Sequence, residues 1–228
     1  MRASINLACV LVSAAWSVVL DSAWTAFCAG TLPIGAAVLD AEGRVVSIGR
    51  NRRREARSSV DAVAETRIAH AELMALAQLP VTGKYQSFSL FSNVEPCLMC
   101  FGAALQTGVG DVHYAWPDAY AGATSVHLPT PQQLRWPITV HVGPGEVALV
   151  TAALVACHYV VVRREKPRHT QHWVEADPAF FTRVDQDGVS DFVALRSAES
   201  APSADVMPEL LRRLSDAHVE RATEHRRG

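Results

Sequence analysis

His70, Glu72, Cys97 and Cys100 are the side chains whose types and spacing could do chemistry. They fall in two short stretches, "HAE" (His70–Glu72) and "VEPCLMC" (Val94–Cys100). Two cysteines three apart can be a metal hook, a redox pair or two core thiols. On the first turn of a helix, positions i and i+3 share a face, and the helix dipole lowers thiol pKa values. Cys97 and Cys100 could therefore bind a metal as thiolates, with His70 as a third donor. Zinc takes this donor set, and three protein ligands leave a fourth position for water, the catalytic rather than the structural arrangement. Glu72, two residues from His70, can point to that open position without ligating and can carry a proton. A structural zinc site would want a fourth Cys or His at suitable spacing, and none is obvious. A redox pair would leave His70 and Glu72 unexplained.

The two stretches differ in how much they say. An H-x-E arises by chance about half the time in a chain of this composition, and P-C-x-x-C at under roughly 1%. The second stretch therefore carries most of the information. Together, H-x-E followed by P-C-x-x-C is the pattern of zinc deaminases.

For these side chains to meet, two helix starts must be brought to one point. "AHAELMALAQL" (Ala69–Leu79) has apolar residues at helical spacing and is closed by Pro80 and Gly83. "PCLMCFGAALQTG" places Pro96 at a first helical position and ends at Gly108. Strands are expected at Gly30–Asp40 and Arg44–Asn51, forming a hairpin, and at Tyr85–Val94, Asp111–Trp116 and Trp136–Gly143. Arg52–Thr66 reads as a polar loop with a helical stretch. "PGEVALVTAALVACHYVVVRRE" is one long helix, or a helix followed by a strand; periodicity alone does not choose. The order of helix, hairpin, helix, strand, helix, strand, loop, strand and helix implies an α/β protein with a mixed sheet between helices.

The bulk numbers narrow the function classes. Nearly half of the 228 residues are apolar, enough for a sizeable core. Lys and Arg number 21 against 23 Asp and Glu, a formal charge of −2, which is not the balance of a dedicated nucleic-acid binder. Residues 1–165 hold 12 basic and 12 acidic side chains and 166–228 hold 9 and 11, so neither part is a charged arm. Five cysteines, Cys9, Cys28, Cys97, Cys100 and Cys157, make a poor disulfide framework and favour a reducing, cytoplasmic setting. Ile5–Leu20 is apolar but short for a membrane span and carries Asn6, Ser13 and Ser17. A buried first helix is the preferred reading there, with an export signal as the alternative. Residues 1–165 read as one domain. Residues 166–228 read as an extension with a Ser/Ala/Pro-rich stretch and a short amphipathic helix at Met207–Glu220.

Further blocks extend the pattern in order: "PIGA" (Pro33–Ala36), "GRN" ending at Asn51, the His70–Glu72 stretch, "EPCLMCFGA" (Glu95–Ala103) and "YAWPDAYAGA" (Tyr114–Ala123). In them, across about residues 17–162, the chain resembles the cytidine/deoxycytidylate deaminase superfamily. The similarity is greatest to the branch that holds tRNA adenosine deaminases, guanine deaminases and small cytosine or nucleoside deaminases. The resemblance implies a three-layer α/β/α cytidine-deaminase-like fold with a central mixed five-stranded sheet. It implies one zinc per chain on His70, Cys97 and Cys100, with Glu72 as proton carrier. Asn51 would hydrogen-bond a base or sugar, and the Ala71 backbone N–H would contact a base carbonyl or ring nitrogen. A homodimer is also implied. The reaction would be attack of water, activated at zinc, on an amidine carbon, with loss of ammonia. Thr66, Arg67 and Ile68 replace the usual Asp-Pro-Thr, Asn93-Val94 replaces Thr-Leu, and the loop from Asn51 to His70 is long. These positions border the pocket, so they bear on the substrate more than on the reaction.

The near-neutral charge favours a small nucleobase or nucleoside over nucleic acid. A tRNA adenosine deaminase would need a basic surface, for which "RNRRREAR" (Arg50–Arg57) is the only candidate; a solvated loop is its plainer reading. A catalytically silent deaminase-like binding protein is disfavoured by the intact His70–Glu72–Cys97–Cys100 set. Asn51 can also be read as a turn residue. His113, His127, His141 and His158 read as structural histidines, and Cys9, Cys28 and Cys157 as small apolar fillers.

Overall fold

Ala14–Cys28 folds into one helix (α1), with Trp16, Val19, Leu20, Ala23, Trp24 and Phe27 on its buried side at helical spacing. The computed structural model describes residues 13–59, 62–126, 130–163 and 175. The expectations for residues 1–12, for His127 and for the extension beyond 165, its Met207–Glu220 helix included, lie outside the described residues, apart from Glu175. No helix among the described residues is long and apolar enough to cross a membrane.

Gly35–Leu39 (β1) and Val45–Arg50 (β2) form the expected antiparallel hairpin. Gly43 supplies the left-handed residue of its turn at φ 77°, and Asp40 Oδ1 accepts from the amides of Glu42 and Arg44. The remaining strands are Ser89–Val94 (β3), Asp111–Trp116 (β4) and Thr139–Val142 (β5). The sheet runs β2-β1-β3-β4-β5. β1 pairs antiparallel with β3, while β3, β4 and β5 are parallel. The helices are Ala71–Leu76 (α2), Leu98–Thr107 (α3), Pro131–Arg135 (α4) and Gly145–Arg163 (α5). This is the expected mixed five-stranded sheet between helices.

The period-two alternation of β1 makes the layers. Ala37 and Leu39 join the core under α1 and α5, and Ala36 and Val38 join the core under α2 and α3. Two glycines let the helices come close. A Cβ on Gly35 would overlap the Val19 carbonyl of α1, and one on Gly49 would overlap the Ala71 carbonyl of α2. Gly49 therefore fixes how near α2, and the residues at its start, lie to the sheet.

Several boundaries differ from the sequence reading. β3 starts at Ser89 rather than Tyr85, because Tyr85 to Phe88 form a turn in which the Phe88 amide donates to the Tyr85 carbonyl (2.9 Å). Pro96 lies before the helix: Cys97 is the N-cap of α3 and Leu98 its first residue. The segment read as loop before β5 holds the short α4, capped by Thr130, whose side chain accepts from the Gln133 amide, with Pro131 in its first turn. Gly145–Arg163 is a single helix. Residues 152–157 are all buried, which erases the one-sided pattern that would have identified it. Among its described residues, the stretch 52–66 contains no helix.

Candidate metal centre and active site

Both ligand stretches sit at helix starts. His70 is the N-cap of α2 with extended backbone (φ −83°, ψ 150°), and Cys97 plays the same part in α3 (φ −70°, ψ 170°). α2 and α3 pack side by side over one core, so their N-termini converge. Cys97 Sγ lies 3.7 Å from His70 Nδ1 and 3.7 Å from Cys100 Sγ, and Cys100 Sγ lies 3.5 Å from His70 Nδ1. A tetrahedral ion with metal–sulfur bonds of about 2.3 Å and a metal–nitrogen bond of about 2.0–2.1 Å needs ligand atoms about 3.8 Å apart for S···S and about 3.6 Å for S···N. The triangle already has the dimensions of a zinc site.

The protein's own groups treat the two thiols unequally. A hydrogen bond from the Cys100 thiol, helped by His70, holds Cys97 down at about 4 against the opposing effect of burial. The same hydrogen bond, with burial, pushes Cys100 up. His70 is raised, mainly by its hydrogen bond to Cys97. Protein groups alone thus split the thiol pair, whereas a divalent cation among the three would favour thiolate on both sulfurs.

Glu72, in the first turn of α2, is 3% exposed. Burial pushes its carboxyl pKa up, and its Oε2 is buried without a hydrogen-bond partner. A buried acceptor left open in a native fold calls for an explanation. Asn51, at the end of β2, is fully buried. Its Oδ1 accepts from Thr31 Oγ1 (2.6 Å) and the Arg53 amide (3.2 Å), while its Nδ2 has no partner. The Asn51 amide donates to the Ile34 carbonyl (2.9 Å) and the Arg52 amide to the Ala69 carbonyl (3.0 Å), which ties the end of β2 to the residue before His70. Ala71 is the first residue of α2, so its N–H has no intrahelical carbonyl to reach.

The sequence reading gave no role to Glu95 or Thr31. Glu95 Oε1 accepts from the Thr124 amide (3.1 Å) and hydroxyl (2.6 Å), and Oε2 accepts from the Asp118 amide (3.2 Å). These bonds hold the 117–124 loop against the Cys97 segment, where the Ala123 amide also donates to the Pro96 carbonyl (3.0 Å). Gly122 is required there, because a Cβ would overlap Glu95 Oε2. Asn93 was expected to shape substrate choice. It is instead fully buried, its Oδ1 accepting from the Gly35 amide (2.9 Å) and its Nδ2 donating to the Pro33 carbonyl (3.0 Å), so both ends of its amide serve β1. Of the basic run, Arg50 and Arg52 both pair with Glu55.

The model of the cytidine and deoxycytidylate deaminase zinc-binding region matches residues 8–116. A tRNA(Ile)-lysidine synthase of Deinococcus radiodurans is 37% identical over 95 residues, which are 40% of this chain and 15% of that protein. A cytosine deaminase of Candida albicans is 33% identical over 95 residues, 40% of this chain and 57% of that protein. The matched segment thus covers less than two thirds of either relative. Among solved structures, a guanine deaminase from Nitrosomonas europaea is 22% identical, with 64% of this chain and 83% of that chain covered and a TM-score of 0.46.

Proposed function

We propose that this chain, whose residues 8–116 match the cytidine and deoxycytidylate deaminase zinc-binding region, is a deaminase of that superfamily: a zinc-dependent hydrolase that replaces the exocyclic amine of a nucleobase, nucleoside or related small heterocycle with a carbonyl. The observation that carries this reading is the zinc-sized triangle of His70, Cys97 and Cys100 beside the buried, half-unpaired carboxylate of Glu72. His70 Nδ1, Cys97 Sγ and Cys100 Sγ would hold one zinc per chain. The bound ion supplies Lewis-acid activation of water.

The chain's own groups do the rest. Glu72 Oε2 takes the proton from the attacking water and gives it to the ring nitrogen next to the amidine carbon. Glu72 then moves the remaining proton of the new C–OH to the amine nitrogen, the C–N bond breaks, ammonia leaves, and the carbonyl forms while the ring nitrogen keeps the first proton. Burial raises the Glu72 pKa toward the working range of an acid that must also act as a base. Asn51 Nδ2 donates to an acceptor of the base or sugar, and Thr31 fixes that amide by occupying its Oδ1. The Ala71 N–H donates to a base carbonyl or ring nitrogen. The Glu95-anchored 117–124 loop forms a wall of the pocket. Residues 1–165 make up the deaminase domain and 166–228 an extension; the protein is cytoplasmic and a homodimer. A tRNA substrate is the less supported reading, because Arg50 and Arg52 of the basic run are paired with Glu55.

The test is ammonia release from the zinc-loaded full chain. Cytosine, guanine, adenine, their nucleosides, pterin- and triazine-type amines and a tRNA anticodon stem-loop are offered in parallel. Turnover of a small heterocycle is expected. Turnover of the stem-loop alone would replace that reading with the tRNA one, and no ammonia from any of them would leave a silent, binding-only protein.

A further inference from the structure

A second group of ligand-type side chains lies on the other face of the sheet, at the other end of its parallel strands. Asp111, His113 and His141 each place one ligand atom within 4.8 Å of the other two. In-register parallel pairing explains the grouping. β4 and β5 align Asp111 with Thr139 and His113 with His141, and β3 aligns Ser89 with Asp111 and Phe91 with His113. His113 and His141 are therefore side by side on one face, and Asp111 precedes His113 by one side-chain period. Phe91 packs with the core under α1 and α5, so this row belongs to that face, whereas His70 and Cys97 start the helices of the other. Asp111 opens β4 at the end opposite Val94, which leads to Cys97.

The row is ordered but not closed. The imidazole of His113 stacks on Phe91 (centroids 4.2 Å, planes 1° apart) and on His141 (4.3 Å, 12°). His141 Nε2 lies 2.7 Å from Asp111 Oδ1. Neither ring nitrogen of His113 has a hydrogen-bond partner among the described residues, although a half-buried imidazole ordinarily finds one. All three side chains are part-exposed, so an ion can reach them. Two imidazole nitrogens and one carboxylate oxygen are a donor set for borderline divalent ions.

We propose that Asp111, His113 and His141 form a second divalent transition-metal site that clamps the edge strand β5 to β4. Bonds of about 2.0–2.1 Å in a tetrahedral site put ligand atoms roughly 3.3–3.4 Å apart. His141 Nε2 and Asp111 Oδ1, 2.7 Å apart, must part slightly to admit an ion, and the His113 ring, held by stacking alone, must turn a nitrogen toward them. β5 is four residues long and forms a sheet edge. A metal joining it to β4 adds a cross-strand tie at a sheet edge, where β5 has one strand neighbour.

The untagged full chain, with its first site already zinc-loaded, is dialysed against micromolar zinc or, in parallel, nickel, and metal per chain is measured. Wild type takes up a second equivalent, and its unfolding midpoint rises with the added ion. His141→Ala and Asp111→Asn take up none beyond the first. His113→Phe, which keeps the ring stack on Phe91, behaves the same way and separates ligand loss from a folding defect. Ammonia release by all three stays at the wild-type rate. A wild type that holds only the first equivalent overturns the proposal, as does a second equivalent that survives in all three variants.

Discussion

The His70–Cys97–Cys100 group and the Asp111–His113–His141 group each gather three ligand-type side chains, yet the fold treats them differently. The first joins two helix starts brought together from separate segments, with ligand atoms 3.5–3.7 Å apart, and it is backed by a buried carboxylate. The second lies along two neighbouring strands, part-exposed, with ligand atoms within 4.8 Å of one another and His141 bonded to Asp111. The first is pre-set for its ion, and the second must rearrange to take one. Preorganisation of that kind distinguishes a reaction centre from a site that binds. Glu72 Oε2 is a buried carboxylate oxygen without a partner, and among the described residues no buried carboxylate accompanies the second group.

The comparison breaks most easily at the first group's metal. Treatment with a strong zinc chelator is expected to abolish ammonia release completely. It should also expose Cys97, whose thiol is held at about 4 and so stays ionised down to mildly acidic pH. Alkylation at pH 6 followed by peptide mapping should label Cys97 in the chelated protein, while Cys157, buried and pushed up to about 12, stays unlabelled. Equal labelling of Cys97 before and after chelation would contradict its role as a ligand. Next in size is Glu72→Gln, expected to lower kcat about 100- to 10,000-fold, the range for loss of a general acid–base, with zinc content unchanged. Full activity in that variant would remove Glu72 from the mechanism.

Asn51→Ala should cost about 1–3 kcal/mol of transition-state binding, roughly 5- to 150-fold in kcat/KM, with the zinc retained. Unchanged kinetics on the best substrate would reduce Asn51 to a turn residue tied to Thr31. The smallest effect belongs to the second group. His141→Ala should leave ammonia release at the wild-type rate and shift stability by no more than about 0.5 kcal/mol in zinc-free buffer. A large loss of activity would couple the two ends of the sheet and erase the contrast between the groups.

What could be read from sequence follows the same division. His70, Glu72, Cys97 and Cys100 are legible because each pair lies within one turn of helix, where spacing dictates facing. The strands around them are legible because they are short apolar runs bounded by clear turn residues, although their order in the sheet is not. Long-range partners are not. Thr31 meets Asn51 across 20 residues and Asn93 meets Gly35 across 58, and no local pattern encodes either pairing. Asn93 was misread for this reason: next to the ligand motif it resembled a pocket residue, while its amide was committed to a strand far away in the chain. Glu95 stood in the quoted motif, but its function depends on the 117–124 loop returning to it. The stacking of His113 on His141 depends on the register of β4 and β5, which is set by the sheet and not by either strand alone.

The bond from the Arg52 amide to the Ala69 carbonyl has a consequence for how this protein can vary. It fastens together the two ends of the long excursion between Asn51 and His70, and the Glu65 amide adds a second tie to the Arg52 carbonyl (3.1 Å). Chain added or removed inside those ties is not pulled on by the zinc ligand or by Asn51, and each doubling of a flexible loop costs only about 0.6 kcal/mol. The excursion is a cartridge: descendants of this sequence could exchange it to meet new substrates, and an engineer could splice a reporter into it, while the chemistry on either side keeps its place.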